Sequence, residues 1–289
     1  MKKYKSSIQI LGLILLMSFL TSCVNTGLKV INRLAKSGDF EVYLDMVYGD
    51  NAENKLDIYI PIKEPIKATI VFFYGGCWGN CTNYTKSDYL FVADTLSKQG
   101  YAVVIPDFRQ YPNVKFDAII QDTSVAVKWT IKHIKDYGVE NDKIFLMGHS
   151  SGAHIAAMLA DNEQFLGKQL PHIKGFIGLA GPYDFYPFTS NYMYDLFSPE
   201  NDYFNALPIN FINGNEPPHL LLHGMKDKTV FLHNPNNLEK KLQINGVETT
   251  KVLLKKISHA KILVSLSKPF RKKSPVLKHI VDFVDKYSN

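Results

Sequence analysis

The sequence predicts an α/β fold with a largely parallel sheet covered by helices on both faces. Three observations carry that expectation. Runs such as "ATIVFFY", "YAVVIPD" and "KIFLMGH" are continuously apolar, as strands buried on both faces require. Segments with helical spacing alternate with them, giving repeated strand–helix–strand units. No internal repeat, low-complexity tract or Gly/Ser-rich linker divides the 289 residues, so a single catalytic-size domain over residues 41–289 is the simplest organisation.

The elements follow in order past residue 40. "FEVYLDMVY" and "NKLDIYIP" read as strands joined by the turn "GDNAEN", an antiparallel edge. "ATIVFFY" is the next strand. "SDYLFVADTLSKQG" has apolar residues at helical spacing, an initial serine and a closing glycine. After the strand "YAVVIPD" comes a long amphipathic helix, "AIIQDTSVAVKWTIKHIKDYG", ended by Gly138. "KIFLMGH" is a strand and "AHIAAMLA" begins a helix. The remainder reads as strand "IKGFIGLAG", an aromatic-rich stretch, strand "PHLLLHG", helix "NNLEKKLQING", strand "TTKVLLKKI" and helix "SPVLKHIVDFVDKY". Open sheets of this kind bind ligands beyond the carboxyl ends of their strands. Those ends are Tyr74, Asp107, His149, Gly181, Gly224 and Ser258.

The first 40 residues read differently. "MKKYKSS" is basic, and the 13-residue apolar run "IQILGLILLMSFL" that follows is short for a membrane span. "LTSC" at residues 20–23 then resembles the lipobox of bacterial lipoproteins. It implies a signal peptide over 1–22, lipidation of Cys23, a tether over 23–40, and an exported protein anchored to a membrane of the bacterial cell envelope. An ordinary cleaved signal with an incidental Cys23 is the alternative. Without residues 1–22 the charge is 30 basic minus 27 acidic residues, or +3. No basic stripe points to nucleic acid. Cys77 and Cys81 in "GGCWGNC" could form a disulfide or remain free thiols. Zinc suits them poorly, since no histidine cluster lies nearby.

The stretch "GHSSG" fits G-x-S-x-G with Ser150 at its centre, between a buried strand and a helix. There a serine hydroxyl stands at a helix N-terminus, where amides and dipole favour developing negative charge. Such a hydroxyl needs a base, and the base an acid to orient it. His259 follows the last strand, whereas His233 begins a helix and His279 lies within one. Asp227 sits in the loop after "PHLLLHG"; Asp184 and Asp202 are the alternatives. His149, His154 and His223 read as packing or hydrogen-bonding residues. The loop "YGGCWGN" and Ser151 offer backbone amides for an oxyanion.

"YGGCW", "PDFRQYP", "GHSSGAH", "HGMKD" and "SHA", in this order, resemble the α/β-hydrolase superfamily. More narrowly they resemble its carboxylesterase branch, near hormone-sensitive-lipase-like and feruloyl-esterase-like enzymes. The resemblance implies an eight-stranded sheet, a Ser150–Asp227–His259 triad, oxyanion amides from Gly76, Cys77 and Ser151, and neither cofactor nor metal. Two residues depart from the pattern: Tyr74 stands where the family has histidine, and Cys77 where it has glycine or an aromatic. Asp107 and Arg109 read as braces for nearby loops. In the superfamily the region about 182–215 caps the pocket; here its ten Phe and Tyr residues, from Tyr183 to Phe211, could equally complete the core. The expected activity is hydrolysis of a small-molecule carboxylic ester. An amidase or peptidase using the same residues, or a non-catalytic binding lipoprotein, are the rival readings.

Overall fold

The computed structural model describes residues 27–35, 39–200 and 203–288. The expected signal segment, Cys23 and Asp202 lie outside them. Eight strands form one sheet: β1 Phe40–Val47, β2 Lys55–Pro61, β3 Ala68–Phe73, β4 Tyr101–Pro106, β5 Ile144–His149, β6 Ile173–Leu179, β7 His219–Gly224 and β8 Thr249–Leu254. Their order is β1-β2-β4-β3-β5-β6-β7-β8. β2 runs antiparallel to both β1 and β4, and all other neighbours are parallel. Every residue of β3, β4 and β5 is buried, which is why their sequences are continuous apolar runs.

The helices are α1 (residues 27–35), α2 Leu90–Ser97, α3 Phe116–His133, α4 Ser151–Asp161, α5 Glu163–Leu166, α6 Asn191–Leu196, α7 His233–Ile244, α8 His259–Val264 and α9 Val276–Tyr287. Side chains of a strand alternate between faces, and β5 shows how this sorts the helices. The ring of Phe145 meets Phe283 of α9, centroids 6.1 Å apart. A β-carbon on Gly148, three positions on and so on the other face, would lie 2.2 Å from the carbonyl oxygen of Gly152 in α4. α4 and α9 therefore cover opposite faces. The crossovers from β3 lead to β4 on one side and from β4 to β5 on the other, so the order reverses between β3 and β5. A crevice opens at such a point, beyond the carboxyl ends of the two strands.

Two departures from the sequence reading bear on the site. The last strand stops at Leu254 rather than Ile257. Ile257 instead closes a turn, its amide donating to Leu254 (3.2 Å) and its carbonyl accepting from Lys226 (3.0 Å). Within the stretch expected to be a tether, residues 27–35 form α1, packed on the body of the protein. Leu28, Ile31 and Ala35, spaced for one helix face, are buried. Asn32 fastens the helix: its Oδ1 accepts from the Phe91 amide and its Nδ2 donates to the Ser87 carbonyl, both at 3.1 Å. The aromatic region between β6 and β7 packs partly into the core and partly faces the crevice. Phe188 and Phe197 are buried with ring centroids 5.2 Å apart, while Tyr186 is half exposed on the crevice.

Candidate active site

Ser150 occupies the turn between β5 and α4 with φ 57° and ψ −127°. A side chain held at positive φ costs on the order of 1–3 kcal/mol, so the surroundings must impose it. The Ser150 amide donates to Leu179 of β6 (2.9 Å), and its carbonyl accepts from Ala153 and His154. The flanking glycines are required by close approach. A β-carbon on Gly152 would lie 2.1 Å from the Phe73 carbonyl oxygen, and one on Gly148 would strike Gly152 itself. The turn thus aims the Ser150 hydroxyl into the crevice at the N-terminus of α4.

His259, the first residue of α8, and Asp227, in the loop after β7, meet that hydroxyl. Ser150 Oγ lies 2.8 Å from His259 Nε2, and His259 Nδ1 lies 2.8 Å from Asp227 Oδ2. The second carboxylate oxygen of Asp227 accepts from the amides of Thr229 (2.8 Å) and Val230 (2.9 Å). Burial pushes the Asp227 carboxyl up, but the hydrogen bond and charge of His259 and the two amides outweigh it and hold the group below its ordinary value.

The loop after β3 carries Gly76 and Cys77 into the same crevice. Cys77 is disulfide-bonded to Cys81, with Cα atoms 5.3 Å apart, which resolves the two alternatives for this pair. Cys77 and Trp78 both have positive φ, 55° and 57°. The Gly76 carbonyl accepts from Gly79 and Cys81, and the Trp78 amide donates to the Ser151 hydroxyl at 3.2 Å. Among the described residues no internal hydrogen bond takes up the amides of Gly76, Cys77 or Ser151.

Two cavities flank Ser150. One, of about 590 Å³, lies under the aromatic region, lined by Trp78, Phe185, Tyr186, Tyr192, Met193 and Phe231 among others. The other, of about 430 Å³, is bounded by Leu28 and Ile31 of α1, Tyr84, Tyr89, Leu263 and Val264, with His149 and His259 at its base. Cys77, Cys81, Ser150 and Thr229 border both, so the disulfide stands between them.

The other residues picked out by sequence do not join the Ser150–His259–Asp227 series, although His149 and His223 pack against it. The Asp184 carboxylate accepts from Asn237 (2.6 Å) and is not paired with His259. His233 donates to the Asp184 carbonyl, and His279 is in α9. His223 donates to the Val230 carbonyl beneath the Asp227 loop. His149 donates from Nε2 to the His259 carbonyl (3.0 Å), and burial, helped by neighbouring His259, lowers its pKa to about 3. Tyr74 donates to Asp107 (2.8 Å), which also accepts from the Lys86 amide, while Arg109 grips Asp122 with two nitrogens. Sequence reasoning missed Leu28 and Ile31, although their three-residue spacing was a helical signal. It also missed a link from Trp78 through His154 to Ala206. Among the described residues no group of three His, Cys, Asp or Glu side chains could hold a metal ion.

A sheet of this order, with a serine on the turn after β5, defines the α/β-hydrolase fold. The chain belongs to the BD-FAE family, whose model matches residues 56–242. It is 25% identical over 250 residues to an isoprenylcysteine alpha-carbonyl methylesterase of Arabidopsis thaliana, covering 78% of this chain and 58% of that one. It is 29% identical over 154 residues to the kynurenine formamidase of Danio rerio, covering 53% and 50%. The chain thus spans little more than half the length of these relatives. Esterase B of Lactobacillus rhamnosis, solved with a tributyrin phosphonate inhibitor, superposes with a TM-score of 0.77 at 19% identity, covering 93% of this chain and 92% of that one.

Proposed function

We propose that this protein is a serine hydrolase that cleaves small-molecule carboxylic esters through an acyl-enzyme. The observation that carries the reading is the unbroken hydrogen-bonded series from Asp227 through His259 to Ser150, opening beside unused backbone amides. In this mechanism His259 Nε2 takes the Ser150 proton as Oγ bonds to the ester carbonyl carbon. Asp227 fixes the Nδ1–H tautomer and stabilises the imidazolium that forms. The oxyanion is held by the amides of Gly76, Cys77 and Ser151, within the field of the α4 N-terminus. As the C–O bond to the alcohol breaks, the proton passes from His259 to the departing oxygen. Water then repeats the sequence on the acyl-enzyme and releases the acid.

The test is labelling with a fluorophosphonate probe followed by peptide mapping. Label on Ser150, absent from Ser150→Ala, is expected; a folded chain that takes no label would leave a binding lipoprotein as the reading. The methylesterase and esterase names of relatives favour esters. The formamidase relatives favour a second reading, amide cleavage by the same residues. Matched ester and anilide substrates separate the two, the ester reading failing if the anilide turns over as fast.

For the N-terminus we propose export and anchoring through a lipid on Cys23, supported by the order of basic residues, apolar run and "LTSC". Incorporation of labelled palmitate that is lost in Cys23→Ala tests it. Among the described residues no helix is long and apolar enough to cross a membrane.

A further inference from the structure

We propose that the 430 Å³ cavity walled by α1 is the subsite for the alcohol half of the ester, and that Leu28 and Ile31 of α1 select an apolar alkyl alcohol. The proposal rests on the esterase reading and extends it to substrate class.

The argument begins with the tetrahedral carbon bonded to Ser150 Oγ. One of its substituents is the oxyanion, turned to the amides of Gly76, Cys77 and Ser151. The acyl chain and the alkoxy group diverge from it, and two cavities flank Ser150 to receive them. The alkoxy oxygen must accept the proton that His259 Nε2 took from Ser150, so the alcohol leaves on the side of His259. His259 borders the α1 cavity together with Ala260, Leu263 and Val264 of its own helix. The cavity under the aromatic region is bordered by Ser151 and Trp78 and not by His259. The acyl group therefore takes the larger, aromatic cavity and the alcohol the smaller one.

The lining of the smaller cavity defines its ligand. Its wall is aliphatic from α1 and α8 and aromatic from Tyr84 and Tyr89, and among the described residues no Asp, Glu, Lys or Arg lines it. His149 at the base is held neutral by burial. A charged or sugar-like alcohol would lose its hydration there without partners, whereas an alkyl chain is favoured by transfer out of water. The volume falls within the ordinary range of small-molecule sites. α1 is held against this side by its buried Leu28, Ile31 and Ala35 and by the bonds of Asn32 to Ser87 and Phe91. A segment outside the matched family region thus completes the subsite.

The test uses the full chain and two substrate series: n-alkyl acetates from methyl to hexyl, and p-nitrophenyl esters of lengthening acyl chain. The unmodified protein should gain about fourfold in kcat/KM per methylene of the alcohol until the cavity is full. Ile31→Trp, which fills the cavity, should lower kcat/KM for hexyl acetate at least tenfold. The loss should grow with alcohol length from methyl to hexyl, while the slope of the acyl series stays the same, since the acyl chain lies in the other cavity. Leu28→Ala and Asn32→Ala, which open the wall without adding bulk, should flatten the alcohol dependence. A change in the slope of the acyl series instead, or an equal loss for methyl and hexyl acetate, would overturn the proposal. Absence of hydrolysis of every ester, with Ser150 unlabelled in the unmodified chain, would instead overturn the esterase reading itself.

Discussion

The indole Nε1 of Trp78 donates to Nδ1 of His154 across 3.1 Å, and the opposite nitrogen of that ring donates to the Ala206 carbonyl across 2.7 Å. His154 is fully buried, so one ring joins the loop that carries Gly76 and Cys77 to the aromatic region between β6 and β7. Trp78→Phe keeps most of the packing and leaves Nδ1 without a donor. The expected cost is about 1–3 kcal/mol of stability, the penalty for an unsatisfied buried polar atom. Urea denaturation measures it, and an unchanged midpoint would show that the bond contributes nothing.

Asp227→Asn tests the orienting role of the carboxylate. The amides of Thr229 and Val230 require an acceptor at Oδ1, which turns the new NH2 group toward His259. His259 is then driven to the wrong tautomer, with a proton on the nitrogen that should receive one from Ser150. A loss of about 10³–10⁴ in kcat with little change in KM is expected from steady-state kinetics. Activity within tenfold of the unmodified protein would remove Asp227 from the mechanism.

Activity should fall in acid along a limb of one proton. His259 must be neutral to act as base, and Asp227, held below its ordinary value, stays ionised over that range. A log–log profile of kcat/KM against pH with unit slope is the expected result. A flat profile through the acid range would mean that His259 is not the base.

Stability should also depend on pH, for a separate reason. Burial lowers the pKa of His154 to about 4 and that of His149 to about 3. In the unfolded chain a histidine titrates near about 6.5. As pH falls the unfolded chain takes up protons first, so stability is complete above that value and declines below it toward the folded-state values. At pH 5 the loss is about 2 kcal/mol for each such histidine. Urea midpoints at pH 7.5 and pH 5 check this, and equal midpoints would contradict it.

The Cys77–Cys81 bond should matter more to rate than to folding. It closes a very short loop, worth roughly 2 kcal/mol at most in chain entropy. Cys77 carries one of the amides assigned to the oxyanion and Gly76 next to it another, and these act in the transition state rather than on bound substrate. Cys81→Ser should therefore lower kcat about tenfold with a smaller change in KM. Burst kinetics with and without reductant provide the measurement, and a variant with unchanged kcat would show that the loop holds its shape unaided.

Most of the sheet was legible because burial on both faces leaves a direct trace, the continuous apolar runs of β3, β4 and β5. The serine turn was legible because close packing at Gly148 and Gly152 excludes side chains. What sequence could not give was distance. Loop position favoured Asp227 but left Asp184 and Asp202 as alternatives, and only the fold brings Asp227 to His259. The cysteine pair was ambiguous for the same reason. The end of β8 was overextended because Ile257 continues the apolar pattern while its backbone turns. α1 was hard to read because only Leu28, Ile31 and Ala35 mark its buried face, in a short stretch that follows the apolar run and "LTSC".

The position of α1 has a practical side. A shortened form for work in solution would naturally begin at β1, at Phe40. A cut there would discard Leu28 and Ile31 and let water into the smaller of the two cavities. Such a preparation would still contain Ser150, His259 and Asp227, and would report the preferences of a site missing one side. The shears belong ahead of residue 27.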